Sequence, residues 1–313
     1  MSDRPLKRSV VKLMSPFLFG KARAHYQESW PALRLDIPRQ EGASGMIEYR
    51  RKPIAKLSHS SAILENGLDE IAIVGSGPTI LETETRIGDR SGAIYLNGAI
   101  SLINGNSARS PVIAIEDERF IWRHFAMLRE NVPMSCQCLL SVSVIRAICE
   151  LDPQWLVGKT IVLIDDLRKP YGHKRRSVAT ISDLEVGSMG TDGTSGFSCQ
   201  PSYGVFKGGS VVVSAVQFAA AKRPHRIGFL GIDIVNANRP RFYEKGGNVA
   251  TSGVFRAESR ILSHIALAKN FCDENGIMMV NYSPVSALSK CGIPFSPARA
   301  KLPQDDGRKV LTS

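Results

Sequence analysis

Apolar residues along this chain fall into two kinds of run that alternate. Short β-branched stretches at 71–74, 93–96, 112–115, 160–164, 226–231 and 277–281 read as strands. Between them, 120–131, 142–151, 210–222 and 258–274 carry apolar residues at the 3.6-residue spacing of helices. Strands alternating with helices predict βαβ units, hence an α/β fold with a Rossmann-like, mainly parallel sheet and helices on both faces. In such sheets ligands lie beyond the carboxyl ends of strands, so the residues just after each strand are where chemistry is expected.

Two stretches break the alternation. Residues 1–60 combine Lys and Arg with Pro31, Pro38 and Pro53, and read as a basic N-terminal arm with one amphipathic helix. Residues 182–204, rich in Gly, Ser and Thr, hold too little apolar surface to pack firmly and read as a mobile, lid-like loop. The main domain is therefore expected over 61–297, with a basic tail at 298–313.

Charge sharpens this division. The chain of 313 residues has 40 Lys+Arg against 29 Asp+Glu, a net charge of +11. Residues 1–60 hold +7 of it, 161–180 hold +3 and 298–313 hold +2, so the remaining body is nearly neutral. Peripheral cations suit an anionic surface better than a basic channel for nucleic acid, and aromatics at 7% offer little stacking platform. No apolar run reaches the length of a membrane span, and no secretory leader is read at the N-terminus. Six cysteines include no C-x-x-C pair, so neither a zinc knuckle nor a disulfide scaffold is expected, and Cys136 and Cys138 read as small hydrophobes of a strand.

The strand ends carry the candidate chemistry. Gly75-Ser76-Gly77-Pro78-Thr79 follows the first strand, where glycines either bring backbone N–H groups to a phosphate or simply make a tight turn. The third glycine of a dinucleotide fingerprint would fall on Ile80, which argues against NAD. Asn97 ends the next strand, suited to a ribose hydroxyl or to capping a helix over 99–103. Glu116-Asp117-Glu118 fits the start of a helix, with Asp117 its candidate for ligand contact. Gly208-Gly209-Ser210 opens another helix in a way that suits one phosphate or carboxylate. Gly231-Ile232-Asp233 is followed by Arg239, Arg241 and Tyr243, an anion-handling loop or a salt-bridged surface loop. Asn281, Ser283 and Ser286 place amide and hydroxyl groups after the final strand. His264 falls mid-helix, and no histidine cluster has metal spacing.

In this order the motifs resemble the bacterial CMP-sialic-acid-dependent sialyltransferases, and more closely the lipopolysaccharide-core Kdo transferases that add a third Kdo. The closer likeness lies in Ser76-Gly77-Pro78-Thr79, Glu116 to Phe120, Ala215-Val216-Gln217-Phe218-Ala219, Gly231 to Ile234 with Arg241 to Glu244, and Asn281 to Pro284 with Ile293-Pro294-Phe295. It covers about residues 70–296.

The resemblance implies a single-domain, inverting, metal-independent glycosyltransferase that moves Kdo, or a related acidic sugar, from a CMP donor to a lipopolysaccharide-core glycolipid. No cofactor is implied beyond the CMP-sugar co-substrate, and no nucleic-acid partner. An anionic membrane surface is the implied docking partner, with the enzyme peripheral on the cytoplasmic face of the inner membrane. By position, Gly75, Ser76, Gly77, Pro78, Thr79, Asn97, Asp117 and Gly231 would meet nucleotide and sugar. Ser210 would sit by the donor's anionic groups, Tyr243 would donate to the departing phosphate, and Asn281, Ser283 and Ser286 would hold cytidine. Arg239 and Arg241 would face the acceptor or its anions. The sialyltransferase histidine base has no counterpart at 253–260, which leaves Glu258 as the expected base and Asp233, Asp117 and His264 as competitors. A sialyltransferase-like enzyme of surface polysaccharide synthesis and a nucleotide-binding phosphotransferase are the alternatives on the same fold.

Overall fold

The computed structural model describes residues 4–105, 111–234, 241–243 and 257–301. Its centre is a parallel sheet built by β4 (Glu70–Val74), β5 (Ser91–Leu96), β6 (Val112–Ile115), β7 (Gln137–Ser141), β8 (Thr160–Ile164), β11 (Arg226–Leu230) and β12 (Met278–Asn281). The order β8-β7-β6-β5-β4-β11-β12 runs outward from β4 in one direction and then resumes on its other side. The β4/β11 boundary is therefore the topological switch point of the sheet.

Strand residues alternate between the two faces, as period-2 geometry requires. Ala72, Val74, Tyr95, Ile113 and Leu140 pack with α2 (Glu118–Asn131) and α3 (Val142–Leu151). Ile71, Ile73, Ile94, Ala114 and Leu139 pack with α5 (Val211–Ala220) and α6 (Glu258–Glu274). A sheet covered on both sides explains why its strands read as continuous apolar runs. Cys136 and Cys138 are buried beside and within β7, and all six cysteines are unpaired thiols.

Residues 1–60 depart from the expected arm. Within them, β1 (Leu33–Leu35), β2 (Ser44–Tyr49) and β3 (Lys52–Ser58) extend the sheet beyond β8 to ten strands. Among the described residues, α1 (Leu6–Phe19) and the 3₁₀ turn Lys21–Glu28 precede them. The β2–β3 hairpin turns on Arg50 and Arg51, both at positive φ (51° and 64°). That is the geometry of a two-residue hairpin loop usually made by Asn-Gly. Pro53 sits beside a register shift at Ile47/Glu48, where a missing N–H is tolerated.

Residues 182–204 also depart from expectation. They hold an antiparallel pair, β9 (Gly187–Met189) and β10 (Gly196–Ser198), which follows the short α4 (Val178–Ser182). Val186 and Phe197 are buried, and Val186 joins Leu167, Ile181 and Phe206 in a small separate core. Two buried polar side chains fasten the segment. The Gln217 carboxamide oxygen accepts from the Ser198 and Phe206 amides at 2.9 Å each, while its nitrogen donates to Phe206 and Val213 carbonyls at 2.8 and 2.7 Å. His264 Nδ1 lies 3.0 Å from the Gly196 nitrogen and 2.7 Å from its oxygen. The start of the expected tail is docked too, since Arg299 donates to Glu70 at 2.5 Å and lies over the Tyr282 ring.

Candidate functional site

The predicted residues form two groups along the carboxyl rim of the sheet. The first lies at the switch point. Gly75 and Gly77 donate their amides to Leu230 and Gly231 oxygens at 2.7 and 2.9 Å, so these N–H groups are spent within the protein. A Cβ on Gly75 would lie 2.4 Å from the Gly231 oxygen, and one on Gly77 would lie 2.5 Å from the Asp233 carboxylate. The glycines thus press two strand-end turns together, which is the tight-turn alternative rather than a phosphate cradle. Pro78 starts the 3₁₀ turn Pro78–Glu82, and Asp233 caps it by accepting from the Thr79 amide at 2.8 Å and from its hydroxyl. Burial raises the Asp233 carboxyl, and the Thr79 bonds oppose that rise. A carboxylate so engaged serves as a structural cap on the Pro78–Glu82 turn.

Asn281, Ser283 and Ser286 are likewise committed. Asn281 and Ser283 bond to each other at 2.9 Å in both directions. Ser283 accepts from the Ile232 amide, and Ser286 donates to the Ile232 oxygen at 2.8 Å. Asn281 and Ser283 are fully buried, so they lock the β12 end to the β11 end instead of presenting groups to a base.

The structure does bring Ser76, Asn97, Arg241 and Tyr243 together. Arg241 donates to the Ser76 hydroxyl at 2.9 Å. The Tyr243 ring covers Gly98, where a Cβ would overlap it at 1.8 Å, and stands edge-on to His124. Asn97 takes a left-handed backbone (φ 48°), and its buried Oδ1 accepts no hydrogen bond among the described residues. Arg239 lies outside the described residues.

The proposed bases do not gather. Glu258 begins α6 and pairs with the exposed Lys290 at 2.7 Å. Asp117 caps α2. Burial pushes its carboxyl up, but bonds from the Arg119 side chain and backbone more than offset this and hold it below the usual range. Burial lowers the His264 imidazole, which keeps it neutral in its bond to Gly196.

The second group was singled out by sequence only through Gly209, Ser210 and the charge of the basic stretch 161–180. A cavity of about 600 Å³ opens at the carboxyl ends of β7 and β8, floored by Ile164, Asp165 and Asp166. The 3₁₀ turn Lys21–Glu28 gives one wall through His25, Tyr26 and Glu28. Arg168, Lys169 and Arg175 from the loop after β8, Lys207 and Gly209 before α5, and Arg260 of α6 give the rest. Ser210 follows Gly209 as the N-cap of α5, with no side-chain cap bond of its own.

Opposed charges set the electrostatics. Burial works against the Lys207 ammonium, yet Glu28, Glu116, Asp166 and Asp165 together hold it protonated and raise it. Burial raises the Glu116 carboxyl against the pull of Lys207 and of the Ser214 hydroxyl. Burial lifts Asp165 from 3.8 to about 6, although the Tyr171 amide donates to it at 2.9 Å. Asp166 instead accepts from the Arg168 amide at 2.9 Å. The cavity wall therefore carries five cations against Glu28, Asp165 and Asp166, with Asp165 raised to about 6. The sequence signal was present, since Asp165-Asp166 directly follows a predicted strand, but it was absorbed into the count of the basic stretch 161–180.

Among the described residues no group of three or more His, Cys, Asp or Glu is placed to hold a metal ion. Comparison with protein-family models, curated proteins and solved structures found no match for this chain.

Proposed function

We propose that this chain is a glycosyltransferase that moves Kdo, or a related acidic sugar, from a CMP donor to a lipopolysaccharide-core glycolipid at an anionic membrane surface, without a metal and with inversion. The carrying observation is the cavity beyond β7 and β8, whose wall holds Arg168, Lys169, Arg175, Lys207 and Arg260 together with Asp165. A CMP-linked acidic sugar carries two anions, a phosphodiester and a carboxylate, and guanidinium and ammonium groups neutralise both without Mg²⁺. Asn97 Oδ1, at the end of β5, is a buried acceptor that a sugar hydroxyl or a cytosine amine would satisfy.

In this reading an acceptor hydroxyl attacks the anomeric carbon from the face opposite CMP. Asp165 takes the hydroxyl proton as the new C–O bond forms and the bond to phosphate breaks. CMP then leaves with its charge held by the cations. Asp165 replaces Glu258 as base, since Glu258 is not in the cavity wall.

Ligand ranking by calorimetry tests the donor class. CMP-Kdo and CMP are expected to bind more tightly than ATP or GTP with Mg²⁺, and Arg168→Ala with Arg260→Ala to weaken the donor at least tenfold. A preference for a purine triphosphate would refute the reading in favour of a phosphotransferase.

A further inference from the structure

Helix α1 is amphipathic in the reverse of the usual sense. Its polar residues Arg8 and Ser15 are buried against the body, where Arg8 donates to the Trp30 oxygen at 2.8 Å. Arg4 adds a 2.6 Å bond to Glu118, and Lys7 pairs with Glu150 at 3.1 Å. Its apolar residues face out. Leu6, Val10, Leu13, Met14, Phe17 and Leu18 share one face by their spacing, and Leu6, Leu13 and Phe17 are 81%, 73% and 82% exposed. Six large apolar side chains in four turns make a patch that a water-facing helix would not carry.

We infer that α1 lies in the plane of an anionic bilayer, with this apolar face sunk into the headgroup and acyl boundary. Charge selects that occupant. The helix contains no acidic residue, and Lys12, Lys21 and Arg23 are exposed along it and just after it. A second copy of the chain would set these cations against one another, whereas anionic headgroups neutralise them. No helix among the described residues is long and apolar enough to cross a membrane, which leaves an in-plane seat for α1.

The placement has a consequence that rests on the glycosyltransferase reading. The 3₁₀ turn Lys21–Glu28 follows α1 directly and supplies His25, Tyr26 and Glu28 to the cavity wall. A helix seated on the bilayer thus holds one wall of the cavity beside the membrane surface where a glycolipid headgroup stands.

Flotation of the full chain with vesicles tests the helix without any assay of activity. Vesicles of phosphatidylcholine with one-third phosphatidylglycerol are expected to carry the protein, and pure phosphatidylcholine to carry much less. Leu13→Glu with Phe17→Glu should weaken binding at least tenfold with an unchanged Tm, because both side chains are exposed. Lys21→Gln and Arg23→Gln should each cost about fivefold on anionic vesicles only. Binding insensitive to the two Glu substitutions would overturn the inference. So would failure to bind anionic vesicles, including the case where those substitutions instead dissociate a dimer. Loss of vesicle binding with normal turnover on a detergent-dispersed acceptor would leave the enzyme reading intact, and normal vesicle binding without donor turnover would do the converse.

Discussion

Replacing Asp165 by Asn keeps the side chain's size and removes its titration, so the perturbation isolates one electrostatic quantity. Burial raises this carboxyl from 3.8 to about 6 in the folded protein. The folded state therefore binds a proton over a pH range in which the unfolded chain has already released it. Stability falls with rising pH wherever the folded state holds more protons, so wild type loses stability through the window from about 4 to 6. The displacement corresponds to about 3 kcal/mol. Any constant offset from the substitution, such as a changed bond to the Tyr171 amide, cancels when the two proteins are compared across pH. Urea unfolding at half-unit steps from pH 4 to 7.5 is the assay. The stability of Asp165→Asn minus that of wild type should grow by about 3 kcal/mol across the window and level off above pH 7. A difference flat to within about 0.5 kcal/mol, or one of opposite sign, would refute the claim that the cavity holds a desolvated carboxyl.

Three further outcomes are expected. Gln217→Leu strands the Ser198 and Phe206 amides and should cost about 2–5 kcal/mol in urea unfolding, with faster proteolysis within 187–199; unchanged cleavage would show that the hairpin does not depend on this amide. Arg146→Ala removes the fully buried partner of Glu118 and Glu150 and should cost about 3–5 kcal/mol, whereas a loss under about 1 kcal/mol would mean that water reaches those carboxylates. Gly98→Ala displaces the Tyr243 ring and should weaken CMP-Kdo binding at least tenfold while leaving Tm nearly unchanged; equal affinity would remove Tyr243 from the donor site.

The parallel sheet was legible because buried strands on both faces are continuous apolar runs, and the helices between them keep a clear period. The β1–β3 extension was not. Arg50-Arg51 carries none of the usual signal of a two-residue hairpin loop, and Pro53 argues against a strand until its place beside the register shift is known. The β9–β10 pair was hidden for a different reason. Its segment is poor in apolar residues, and it is held largely by Gln217 and His264, distant polar side chains that composition cannot connect to it.

At the site, residues that stand at strand ends were located correctly, but their work was not legible. Gly75, Gly77, Thr79, Asp233, Asn281 and Ser283 spend their polarity on joining β4, β11 and β12. Sequence places such groups at a rim without showing whether they face a ligand or one another. Asp165 was missed because its environment is assembled from Lys207, Tyr171 and the 3₁₀ turn Lys21–Glu28, which are either remote in sequence or carry no motif.

Transfer itself is the direct measurement. Purified full-length chain incubated with CMP-Kdo and a truncated lipopolysaccharide-core acceptor should release CMP in step with a gain of one Kdo in acceptor mass. Asp165→Asn should slow that release roughly hundredfold, and Glu258→Gln should leave it nearly unchanged. Release no faster than hydrolysis with every CMP-linked acidic sugar, and no difference between wild type and Asp165→Asn, would contradict the account.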